Sequence, residues 1–147
     1  MRARTISVYE RATGKHYAVH VAKNQKVIQI HRVKSSINFA ANYEAMKDLT
    51  ANAYVLYMYL IMHSEGRVWA LSKVDVEAKT PLKEKTYLKA VQELIEKRYL
   101  TAGDIDIGDG KHWTEEAYHL WETPSLNPMQ QEAPKQEIID SEECYPF

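Results

Sequence analysis

Three observations predict an α+β fold. Near the N-terminus, Ile6 and Val8, then Tyr17, Val19 and Val21, alternate with polar residues, the period of half-buried strands. In the middle of the chain, Tyr87, Leu88, Val91, Leu94 and Ile95 recur at helical spacing. Between residues 71 and 100, a short helix, a tight turn and a longer helix run into a strand. The expected organisation is a basic β segment over 1–35, a helix-turn-helix domain over 36–123 and a disordered acidic tail over 124–147.

The first segment carries Arg2, Arg4, Arg11, Lys15, Lys23, Lys26, Arg32 and Lys34 against the single acid Glu10. Gly14 and Asn24 mark its turns. Such a basic hairpin either tracks a phosphate backbone or simply solvates its own surface. His16 and His20 share one strand face, and without a third ligand they do not make a metal site. Residues 42–48 read as a short helix or turn. Thr50 is placed to cap a long helix from Ala51 to Gly66, apolar nearly all round and therefore central. Its Tyr54, Tyr57 and Tyr59 suit core packing with hydroxyls at the rim. Trp69 to Leu71 suits a short strand.

Ser72 with Asp75 three residues on reads as a capping box for the short helix. Thr80 and Pro81 then serve as N-cap and first residue of the longer one. Lys83, Lys85, Thr86 and Lys89 fall on its polar N-terminal half, which suits a major groove. Lys73 and Lys79 on the short helix, with Arg32 and Lys34, complete the candidate DNA contacts.

The stretch TPLKEKTYLKAVQELIEKRYL resembles the recognition helix of bacterial winged helix-turn-helix proteins. Thr86, Val91, Leu94, Tyr99 and Leu100 stand where that pattern wants them, while Pro81 replaces the usual turn residue and Arg98 the usual glycine. An arginine there accepts a left-handed cap less readily, so a different entry into the wing is expected. Over residues 30–124, Arg32-Val33-Lys34, Asn38-Phe39, Leu49-Thr50 and the closing run from Tyr118 to Pro124 resemble small helix-turn-helix proteins of Firmicute phages and mobile elements. That likeness implies a winged helix and a role in DNA replication or its control.

The wing would run through residues 99–101, a loop over 103–110 and a returning strand near 116–122, with 114–116 as an alternative short helix. Asp104, Asp106 and Asp109 make its tip acidic, so it is expected to avoid DNA. Their spacing lacks the bidentate Glu of a calcium loop. The tail ends in IIDSEECYPF, which resembles the C-terminal tip of bacterial single-stranded-DNA-binding proteins. That resemblance makes Asp140, Glu142, Glu143, Pro146 and Phe147 a partner-binding motif for a host replication or repair protein. Cys144-Tyr145 departs from it, and a plain acidic tail remains the alternative.

The net charge of −1 conceals a division: 17 Lys+Arg against 9 Asp+Glu up to residue 98, then 2 against 11. A basic body with an acidic tail fits a nucleic-acid partner. The single Cys144 gives no disulfide framework or zinc cluster, and no cofactor is implied. The longest apolar run, residues 53–62, is too short for a bilayer, and the N-terminus lacks a signal-peptide core, so a cytoplasmic protein is expected. No glycine phosphate loop, supported Ser/His/Asp set or metal motif points to an enzyme. Two classes stay open: a duplex-DNA binder, for which a homodimer is compatible, and a protein-interaction module on the same fold that redirects host replication machinery.

Overall fold

The computed structural model describes residues 4–11, 13–63 and 66–128. In chain order these form β1 (Arg4–Glu10), β2 (Lys15–Val21), β3 (Val27–His31), α1 (Phe39–Asp48), α2 (Ala51–Ile61) and β4 (Val68–Ala70). There follow α3 (Lys73–Lys79), α4 (Glu84–Glu96), β5 (Leu100–Ala102), β6 (Ile105–Gly108), β7 (Lys111–Trp113), β8 (Ala117–Trp121) and a 3-10 turn, Pro124–Leu126. The fold is mixed α+β, and no helix among the described residues is long and apolar enough to cross a membrane.

β3 positions everything else. Its run Val27, Ile28, Ile30 is buried on both faces, which explains the loose alternation there: a central strand needs no polar side. It lies between β4, antiparallel, and β8, parallel, and β5 completes the four-stranded sheet beside β8. The boundary expected at residue 35 therefore separates no independent units, because the first segment supplies a middle strand of the sheet. Ile28 and Ile30 pack with Leu100 and Leu120 against the helices, where Leu56, Tyr57, Leu60, Ile61, Leu82 and Leu94 are almost fully buried. Val27 belongs to a second core, with Ile6, Val8, Val19 and Val21 of the first hairpin and Ile105 and Ile107 of β6.

That second core changes the reading of the wing. The loop expected at 103–110 is itself a hairpin, β6–β7, and it lies against β1. His16 Nε2 lies 2.7 Å from Asp109 Oδ2, and Arg4 pairs with Glu115 at 2.6 Å. The acidic β6–β7 hairpin and the turn after it thus answer the basic first hairpin within the molecule. Residues 114–116 form a turn with Glu116 at φ 49° and no helix.

Several local expectations are corrected. Thr50 makes no side-chain cap; its hydroxyl donates to Glu93 Oε1 at 2.7 Å and ties the start of α2 to α4. Ser72 does cap α3, accepting from the Asp75 N–H at 3.2 Å. Thr80 and Pro81 do not begin α4. The Thr80 hydroxyl donates to the Val76 carbonyl at 2.7 Å, closing α3, and accepts from the Leu82 N–H, while buried Leu82 anchors the turn. Lys83 is the N-cap, and the Thr86 hydroxyl accepts from its N–H at 2.8 Å. Arg98 takes the left-handed conformation after all, at φ 70°. Its N–H donates to the Ile95 carbonyl and that of Tyr99 to Leu94, a Schellman closure held by buried Tyr99. The 3-10 turn and residues up to 128 are described, and the rest of the expected tail lies outside the described residues.

Candidate nucleic-acid interface

Helix α4 is amphipathic because Tyr87, Ala90, Val91 and Leu94 turn to the core. Lys85, Leu88, Lys89 and Gln92, at i, i+3, i+4 and i+7, share the solvent side. Leu88 was expected in the apolar stripe, yet it is 55% exposed. It sits roughly 60° to 120° round the helix from Val91 and Leu94, at the edge of the buried arc. Leu88 and Gln92 are thus surface positions that the stripe reading missed.

The lysines at the start of α4 face opposite electrostatics from those elsewhere. Lys97, at the C-terminal end, bridges Glu93 at 3.5 Å and Asp48 at 3.8 Å. Lys26 pairs with Glu116, Lys73 with Glu84 at 3.4 Å and Lys79 with Asp75 at 3.3 Å. Asp75 is held below the usual carboxylate range, first by the Tyr59 hydroxyl that donates to it and then by Lys79. Among the described residues, the side chains of Lys83, Lys85 and Lys89 have no ion-pair partner. Lys83 and Lys85 lie at the positive end of the α4 macrodipole, where anions are favoured and cations are not, and Lys89 follows one turn on from Lys85.

Of the expected contact residues, Lys73 and Lys79 stand at the two ends of α3, Lys83 caps α4, and Lys85, Thr86 and Lys89 lie in its N-terminal half. Thr86 sits half-buried with its hydroxyl engaged in capping, accepting from the Lys83 N–H and donating to its carbonyl. Arg32 has a structural task. Its guanidinium donates to the carbonyls of Ile61 at 3.0 Å and Ser35 at 2.7 Å, and to that of His63, so it seals the end of α2. Lys34 is exposed on the loop between β3 and α1. Asp140, Glu142, Glu143, Pro146 and Phe147 lie outside the described residues.

The adjacent strands β3 and β8 bring two histidines together, His31 and His119. His119 Nε2 is 2.9 Å from the Asp104 carbonyl oxygen, which only accepts, so that nitrogen carries the proton. His119 Nδ1 and His31 Nε2 are hydrogen-bonded at 2.7 Å, and the His31 ring stacks on Trp121 at 4.2 Å. Burial, then the nearby His119, lowers the His31 pKa to about 4. A pKa below the unfolded value means that this stability is complete above about pH 6.5 and is lost as pH falls towards 4. A protein with His31→Phe, which keeps the stack, should lose about 2 kcal/mol less than the parent between pH 7.5 and 4.5 in urea unfolding. Equal losses would remove His31 as the titrating group.

No family model, curated protein or solved structure matches this chain.

Proposed function

We propose that the chain is a duplex-DNA-binding winged-helix protein of a phage or mobile element, acting in replication or its regulation. The observation that carries this reading is the set Lys83, Lys85 and Lys89 along the N-terminal half of α4, without ion-pair partners among the described residues. Lys83 and Lys85 oppose the helix dipole, and a phosphate would relieve that conflict. The order α2, β4, α3, α4, β5 and returning β8 agrees with the winged-helix order. β3, wedged between β4 and β8, is an addition to that order. On this reading the protein is a binder rather than an enzyme, its cytoplasmic DNA partner is met by α4, and the docked wing stays off the duplex. Its C-terminal motif would recruit a host replication factor. Titrating duplex DNA with the parent and with a Lys85→Ala/Lys89→Ala variant tests the proposal, and a weaker variant of unchanged stability supports it.

The second reading, a protein-interaction module, is favoured by one feature. Phe39, Tyr43 and Met46, at i, i+4 and i+7 of α1, are 75%, 63% and 50% exposed. Loss of partner capture with intact DNA binding after Phe39→Ala/Tyr43→Ala would assign α1 to that role.

A further inference from the structure

A cavity of about 710 Å³ lies between the two hairpins, its walls drawn from β1, β2, β3, β6 and the residues preceding β4. The volume is in the range that takes a small organic ligand. Its distinctive member is Arg67, whose guanidinium carbon lies 3.9 Å above the centre of the Tyr17 ring. The Tyr17 hydroxyl accepts from the Val68 N–H at 3.0 Å, which fixes the ring beneath it. The Arg67 carbonyl accepts from the Ile30 N–H at 3.1 Å, but its guanidinium has no hydrogen bond or ion pair among the described residues, so those donors stand unspent at the wall of a cavity. Asp106 also lines the cavity; its Oδ1 accepts from the Gly108 N–H at 2.9 Å, and Oδ2 has no such partner. Gln29 donates through Nε2 to the Gly66 carbonyl at 3.3 Å, which leaves its Oε1.

The charges choose the chemistry. Glu10, Asp106 and Asp109 outnumber Arg11 and Arg67 along the lining, so the cavity is not built for phosphate. A stacked guanidinium with free donors, together with carboxylate and amide oxygens, suits a neutral planar ring with acceptors on one edge and donors on another. We propose that this cavity binds a guanine base. Arg67 donates to its O6 and N7 acceptors, the pairing that arginine makes most often with guanine. The Asp106 carboxylate accepts from the donor edge, and Tyr17, packed on the face of the Arg67 guanidinium, holds its N–H donors in the plane that the base shares. The base could come from a free guanine mononucleotide or from an unpaired guanine in a single strand. The inference does not depend on duplex recognition by α4.

The test is a titration of the full chain with GMP, AMP, inorganic phosphate, a short thymidine oligonucleotide and the same strand carrying one guanosine, followed by amide NMR shifts. Saturable shifts at Gly66, Gly108 and Gly110 are expected with a guanine-bearing probe only. Arg67→Ala should weaken binding about tenfold or more. Asp106→Asn keeps an oxygen for the Gly108 N–H but puts a donor against the base, and should weaken binding to a similar degree. Lys85→Ala/Lys89→Ala should leave these shifts unchanged whatever it does to duplex binding. Response to GMP assigns a free-nucleotide site, and response to the guanosine strand alone assigns an unpaired base; both support the proposal. Equal response to AMP, response to phosphate alone, no response, or full binding by folded Arg67→Ala protein would overturn it.

Discussion

Replacing Glu122 by alanine should destabilise the protein by roughly 4 kcal/mol, the sum of two orphaned donors and a small cavity. Glu122 is fully buried, and its carboxyl oxygens accept from the Val33 N–H at 2.8 Å and the Asn38 N–H at 2.7 Å. Its own carbonyl accepts from the Tyr57 hydroxyl at 2.7 Å, and burial raises the Tyr57 pKa so that this hydroxyl keeps its proton. One side chain thus fixes the loop between β3 and α1. It also sets the start of α1, where Asn38 Oδ1 accepts from the Ala41 N–H. The melting temperature should fall by about 10 °C, and by roughly half as much for Glu122→Gln, which keeps one acceptor. A Glu122→Ala protein that melts with the parent would mean that the two backbone groups find other partners.

Gly108→Ala should be the next most damaging change, at about 3 kcal/mol. Gly108 holds φ 92°, and a β-carbon there would stand 2.5 Å from the Tyr9 β-carbon. The added methyl must push β6–β7 off the first hairpin and stretch the His16–Asp109 pair. Gly110→Ala is the control. It too has positive φ, at 72°, but nothing lies within 4 Å, so only the backbone term of about 1 kcal/mol remains. Equal losses in thermal unfolding would show that the β6–β7 hairpin does not pack tightly on β1.

The two variants probe what the sequence did not disclose. Strands such as β1 and helices such as α4 were legible because their apolar periods are local properties. The start of α4 was misread because Thr80-Pro81 can begin a helix as well as end one. Burial of Leu82, a tertiary fact, decides between them. The exposed lysines of α4 followed from helical spacing alone, whereas Arg32 looked like another free cation until the α2 carbonyls came within its reach. The docking of the β6–β7 hairpin depends on His16 meeting Asp109 across 93 residues of sequence, and no local pattern carries such a pairing. Buried Glu122 and the unspent guanidinium of Arg67 are hidden for the same reason.

The most direct measurement of the central claim is the salt dependence of duplex-DNA binding in the parent and the Lys85→Ala/Lys89→Ala variant. If both lysines meet phosphates, the slope of log K against log salt should be shallower in the variant by about two units, with weaker binding throughout. Thermal unfolding of the two proteins should agree to within about 2 °C, because neither lysine has an ion pair among the described residues to lose. Affinity and slope that both equal the parent's would contradict the assignment of α4 as the DNA-facing helix.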